Sequence, residues 1–196
     1  MILSSGYHTV PPGKLADVQT FLEMREMPVL RPCPDAAWNL EYLTQPDLPR
    51  YRELVHRVGD DYLWASRLAM SDDELERFLT DPGVEPYLLR SDDGDGGILE
   101  LDFRVDGECE LSLFGVAAPL IKSGAGRWLM NRGIEIAWSH PIDRFWLHTC
   151  TLDHPNALAF YRRSGFRPFK REVEVYDDPR AIGITRTDAA PQVPIL

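Results

Sequence analysis

The chain has 196 residues, 31 of them acidic and 21 basic, for a formal net charge of −10. Its 44% hydrophobic and 10% aromatic content supports a packed core and excludes an intrinsically disordered chain. The acidity weighs against a general nucleic-acid binder, which needs many phosphate-neutralising Lys and Arg. In chain order, residues 14–24 follow Pro11-Pro12-Gly13 and alternate through Val18, Thr20, Leu22 and Met24, which predicts a first strand. Residues 25–46 are Pro-rich and without period, and read as loop with irregular turns. Asp47-Leu48-Pro49 opens a helix that runs to about Val58 and stops at Gly59. A second helix is expected near residues 62–70. A capping box, Ser71-Asp72-Asp73-Glu74, then starts a third that ends near Asp81-Pro82.

From there the pattern turns to strands, at 84–90, 98–104 and 108–116. A turn over Asp92-Asp93-Gly94-Asp95-Gly96-Gly97 joins the first two, and Asp106-Gly107 the second two. A helix over 124–139, a strand over 144–151, a helix over 155–164 and a strand over 168–175 follow. The tail after Pro179 has little pattern, which leaves residues 180–196 room for mobility. No repeat or linker breaks the chain, so 1–196 reads as one domain of α/β class (α+β type). The order disfavours an all-parallel sheet. It fits a mixed one: an antiparallel meander, then a parallel pair joined by the 124–139 crossover and flanked by helices.

Three scattered cysteines (Cys33, Cys109, Cys150) make neither a disulfide framework nor a CxxC zinc knuckle. The five histidines (His8, His56, His140, His148, His154) lack a ligand spacing, so no metal is expected. With no basic leader and no apolar run near the ~20 residues of a membrane span, the protein reads as soluble, reduced and cytoplasmic.

Charge is uneven along the chain. Residues 60–110 carry 16 acidic and 4 basic side chains, and residues 120–172 carry 9 basic and 4 acidic. The basic third holds Leu120-Ile121-Lys122-Ser123-Gly124-Ala125-Gly126-Arg127, between the strand ending at Val116 and the next helix. Glycines let a backbone approach a ligand closely, and a helix start offers unpaired N–H groups and the positive dipole end. With Lys122 and Arg127 beside them these make a credible pyrophosphate cradle. A dinucleotide-type oxidoreductase is disfavoured, because Leu129 stands where the fingerprint needs Gly or Ala. A Walker loop fails at Leu120.

Val116, the Gly124-Ala125-Gly126 loop, the crossover helix, the strand over 145–149 and then Asn156-Ala157-Leu158-Ala159-Phe160-Tyr161-Arg162-Arg163-Ser164-Gly165-Phe166 together resemble the GNAT superfamily of N-acetyltransferases. The resemblance covers about residues 84–176, with the upstream strand and helices where that fold expects them. It implies acetyl-CoA as co-substrate, bound where two parallel strands splay apart. Pantetheine would pair with the backbones of Phe114 and Val116, and the pyrophosphate would lie on the amides of Lys122, Ser123, Gly124, Ala125, Gly126 and Arg127. Ile121 stands where the family usually has Arg or Gln, and Lys122 where it has Gly. The family's frequent Asn is replaced by His154, with Asn156 two residues on; either could take the pantetheine contact.

Amine acetylation needs a base for the nucleophile and an acid for the departing thiolate. A three-residue loop, Val105-Asp106-Gly107, would align Phe103 with Cys109, Leu101 with Leu111 and Leu99 with Leu113, so that Asp102 faces Glu110. Neighbouring carboxylates repel, which favours a proton on one of them and suits a base working near neutrality. The resemblance implies Glu110 as that base and Tyr161 as the acid. His148 reads as a hydrogen-bonded packing residue. Cys150 has no activating partner. Trp128, Leu129, Gly133, Ile136 and Ala137 read as a buried helix face. Trp64 and Arg67, on the helices that wall the acceptor pocket in the family, could touch substrate, though a surface or core role is favoured. The expected activity is direct transfer of an acetyl group to a primary amine of a small molecule or peptide. The alternative is an inactive acyl-CoA-binding or sensing module. Neither a nucleic acid nor a membrane is expected as partner, and the oligomeric state, a homodimer included, is not readable.

Overall fold

The computed structural model describes residues 3–34, 38–92 and 94–196. Asp93, in the expected turn, and residues 35–37, in the expected loop, lie outside them. Among the described residues seven strands form one sheet: β1 (Lys14–Met24), β2 (Asn39–Tyr42), β3 (Val84–Ser91), β4 (Gly94–Asp102), β5 (Glu108–Val116), β6 (Arg144–Thr149) and β7 (Arg167–Asp177). Their spatial order is β2-β3-β4-β5-β6-β1-β7. Of the pairings among these strands, β5–β6 is parallel and the other five are antiparallel. The helices are α1 (Leu48–Gly59), α2 (Asp72–Leu79), α3 (Ala125–Ala137) and α4 (Ala157–Arg163). None is long and apolar enough to cross a membrane.

Local chemistry fixes the helix starts. The Asp47 carboxylate accepts from the Arg50 N–H at 3.1 Å. The Ser71–Glu74 capping box closes in both directions, through Glu74 N–H to Ser71 Oγ and Ser71 N–H to Glu74 Oε2. The expected helix near residues 62–70 does not form. Leu63 takes a left-handed conformation (φ 58°) after a 3₁₀ turn over Asp60–Tyr62. The carbonyls that follow, of Arg67, Leu68 and Met70, accept from the Arg52 guanidinium, so they need no helical partner. Residues 39–42, expected as loop, form the short edge strand β2 against β3.

Helices cover both faces, in three layers. On one side Leu129, Met130 and Ile134 of α3 pack on Leu99, Leu101, Leu111, Phe145 and Leu147. Leu129, Gly133 and Ala137 are buried as expected, whereas Trp128 and Ile136 are half-buried. On the other side Tyr51, Leu54, Val55 and Leu75 pack on Leu88, Ile98 and Leu113. Residues Gly96 to Leu101 are therefore all buried.

The hairpin closes with Gly107 in the left-handed region (φ 73°), and it aligns Leu101 with Leu111 and Asp102 with Glu110 as expected. The register then shifts. Glu100 pairs with Leu113 and Leu99 with Phe114, in place of the expected Leu99–Leu113 rung, because Ser112 is an extra residue bulged out of β5. β5 and β6 stay paired for three rungs, Glu108–Arg144, Cys109–Phe145 and Glu110–Trp146, and then diverge. Residues 180–196 fold back onto β1: Arg180 donates to the carbonyls of Ala189, Ala190 and Val193, and Gly13 N–H donates to the Leu196 carbonyl.

Candidate active site

Where β5 and β6 part, a cleft of about 440 Å³ opens. The cleft is lined by Phe114, Gly115 and Val116 of β5, by the α3 N-terminus, and by Asp153, His154, Asn156, Ala157, Phe160 and Tyr161. Gly115 has to be glycine: a Cβ there would lie 2.5 Å from Val58 Cγ1 and 2.9 Å from the Trp64 ring. That space lets α1 and Trp64 close over β5.

At the α3 end, Lys122 (φ 68°) and Gly124 (φ 99°) turn the chain, and Gly124 at the cap position has no side chain to offer the helix. Ser123 Oγ accepts the Ala125 N–H at 3.2 Å. Ser123 and Ala125, expected on the ligand, therefore do not line the cleft; Ser123 is turned into its own loop and Ala125 is buried. Ile121, Lys122, Gly124, Gly126 and Arg127 do line it. A Cβ on Gly126 would meet nothing within 4 Å, which leaves its N–H open to a close approach. Arg31 and Arg163 also line the cleft, so with Lys122 and Arg127 it carries four cations. Neither arginine was found in the sequence: Arg31 lies in the unpatterned Pro-rich segment, and Arg163 only swells the basic block.

Asp153 of the lining was also missed. Its Oδ2 accepts from Thr149 Oγ1 at 2.6 Å and Cys150 N–H at 3.0 Å, and its Oδ1 accepts from Trp64 Nε1–H at 2.9 Å. Trp64 thus lines the cleft, against expectation, with Tyr62 beside it. His154 Nδ1 accepts the Asn156 N–H, and the Asn156 side chain caps nothing, so it is free toward the cleft. Tyr161 packs edge-on against Phe114 and Phe166. Burial pushes its hydroxyl far above the ordinary tyrosine range, so it keeps its proton.

Glu110 stands at the last β5–β6 rung, just below the cleft rather than in its lining. Burial and Asp102 opposite raise its carboxyl above the usual range. Asp102 itself is lowered, because Arg104 chelates it at 2.6 and 3.0 Å. Beside them Glu100, fully buried, accepts from Arg67 at 2.8 Å and Ser112 Oγ at 3.1 Å. Arg67, stacked on Phe78 at 4.0 Å, is a buried pillar under the site. His148 is hydrogen-bonded as expected, through Nδ1 to Gln19 Oε1 at 2.9 Å. Cys150 is no thiolate, since burial pushes it up to about 12.

A family model described as the acetyltransferase (GNAT) family matches residues 50–166. The chain belongs to the GNAT acetyltransferase family. Comparison with curated proteins gives no match. Among solved structures it is similar to a GCN5-related N-acetyltransferase from Sphaerobacter thermophilus, with TM-score 0.58 and 15% identity, covering 86% of this chain and 53% of that one. A tandem GNAT protein from the clavulanic acid biosynthesis pathway gives 0.58 and 15%, covering 87% and 55%. An aminoglycoside acetyltransferase from an uncultured soil metagenomic sample gives 0.51 and 16%, covering 67% and 89%. At these identities the likeness is one of fold, and this GNAT chain spans just over half the length of the first two.

Proposed function

We propose that this GNAT protein transfers an acetyl group from acetyl-CoA directly to a primary amine of a small molecule or peptide. The observation that carries the reading is the join between two features. The α3 helix start opens into the same cleft as a splayed strand pair, and four cations line that cleft. Phosphates match the first; the unpaired edge of β5 at Phe114 and Val116 suits an amide-bearing pantetheine arm. Lys122 supplies charge where Ile121 cannot, and His154 and Asn156 offer polar contacts opposite. Attack by the amine on the thioester gives a tetrahedral intermediate, whose oxyanion the backbone amides by the Ser112 bulge are suited to hold. Glu110 takes a proton from the amine, and Tyr161 gives one to the departing sulfur.

Thermal unfolding with and without acetyl-CoA, followed by free-thiol release against spermidine, tryptamine and a lysine peptide, tests this. The expected outcome is a rise in Tm with acetyl-CoA and CoA release with at least one amine. Tyr161→Phe should keep the Tm rise and lose about 10-fold or more in kcat. A Tm rise without thiol release on any amine would make the protein a binding module instead.

A further inference from the structure

The sheet face beyond Glu110 holds a hydrogen-bonded chain that packing alone does not require. Gln19 Nε2 donates to Glu174 Oε2 at 2.9 Å, and Gln19 Oε1 meets His148 Nδ1 at 2.9 Å. A carboxylate only accepts, so the Gln19 NH₂ must face Glu174 and its carbonyl must face the imidazole. A carbonyl oxygen only accepts too, so His148 Nδ1 must carry the hydrogen. In its neutral form the ring then has a bare lone pair on Nε2. That nitrogen lies 3.9 Å from Glu110 Oε1. The gap is too long for a hydrogen bond, yet a single nitrogen atom about 2.9 Å from each fits between them. The ring is seated on Phe21, with centroids 5.6 Å apart, and its side chain is 42% exposed, so a ligand can reach it.

Proton stoichiometry gives this pair a use. An acceptor that arrives as R–NH₃⁺ has three N–H bonds, and the amide product keeps one. As the C–N bond forms and the C–S bond breaks, two protons leave the nitrogen and one joins the sulfur, for a net release of one. A single carboxylate takes only the first of the two. Resting on the acetyltransfer reading, we propose that His148 is a second catalytic base, whose Nε2 takes the other amine proton, with Gln19 and Glu174 as positioning residues that fix its tautomer.

The imidazolium so formed would lie between the Gln19 carbonyl and the carbonyl oxygen of the now protonated Glu110, each an acceptor for one of its N–H groups. The other charges around the ring are Lys170 on β7, 3.9 Å above the Phe21 ring, Glu172 of β7 paired with Gln19, and Arg144 lower on β6. The arrangement has the logic of a base held in one tautomer by a third group, built from three different strands.

Two measurements test it. In the protein labelled with ¹⁵N-histidine and without ligand, two-bond ¹H–¹⁵N spectra, assigned with His148→Gln, should show His148 protonated at Nδ1. Gln19→Leu should lose that signature, and an Nε2–H tautomer in the wild type overturns the proposal. In turnover with spermidine, tryptamine and the lysine peptide, His148→Gln should lose about 10²-fold in kcat with KM for acetyl-CoA unchanged. Added imidazole should restore part of the activity of His148→Gly. Wild-type kcat in His148→Gln, or loss of acetyl-CoA binding along with kcat, overturns the proposal while leaving the acetyltransfer reading standing. A wild type that releases no CoA with any of the three amines defeats that reading itself.

Discussion

At Glu110, burial and the facing Asp102 both favour the protonated carboxyl, and the guanidiniums of Arg67 and Arg104 oppose them without prevailing. A base works only when deprotonated, so kcat/KM should climb with pH through this raised value. Glu110→Gln should therefore cost about 10²-fold above it and little below it, where the wild-type group is already protonated. Profiles of kcat/KM from acid to mildly basic pH check this, and parallel profiles for the two proteins would remove Glu110 from the chemistry. The Asp102–Glu110 pairing could be read from the sequence because leucine alternation and Asp-Gly turn chemistry fix that rung. Arg31, Arg163 and Asp153 could not, since each reaches the cleft through tertiary packing of segments whose local pattern says nothing of ligands.

Between elements, the short strand β2 is held by charge as much as by its ladder. Glu41 accepts from Arg50 of α1 at 2.9 Å and from Arg90 of β3 at 2.8 Å, and Arg50 also chelates Asp95 of β4. These arginines lower the Glu41 carboxyl from 4.5 to about 2. A lowered folded value means stabilisation that is present above the unfolded value and lost as pH falls through the folded one. Glu41→Gln should accordingly lower Tm at pH 7, and the difference should shrink below pH 4.5 and vanish near pH 2. The effect should be modest, as the pair is partly solvated, and smaller in high salt. Thermal scans across that range decide it, and a pH-independent difference would refute the linkage. Four residues among prolines carry too little period to announce such a strand. The bulge at Ser112 is hidden for a related reason: with leucines at 99, 101, 111 and 113, straight and bulged registers look alike until the two faces are packed. The capping box and the Gly107 turn were legible because their bonds lie within four residues.

For the molecule as a whole, the first strand lies far from its sequence neighbours. β1 sits between β6 and β7, more than 120 residues away along the chain, and alternation predicted the strand but not its slot. Strand order is set by which edges remain open after the meander has formed, and that information is not local. The C-terminal segment then closes over the β1 end, where Leu15 packs with Leu63, Ala189 and Ala190. Its anchor is Arg180, which chelates Asp178 at 2.9 and 2.7 Å, both side chains being 2% exposed, and donates to three further carbonyls. Removing one partner of a buried, hydrogen-bonded pair leaves a bare charge, at a cost of about 3–5 kcal/mol. Arg180→Met should thus lower Tm by roughly 10 °C, at ~2–4 °C per kcal/mol for a chain of this size. Much of that loss belongs to the stranded Asp178 rather than to the tail contacts. The double variant Arg180→Met/Asp178→Leu should therefore recover part of it, and the remainder measures what the carbonyl contacts of residues 189–193 contribute. A double variant no more stable than Arg180→Met alone would mean that the tail contacts, and not the buried carboxylate, carry the loss.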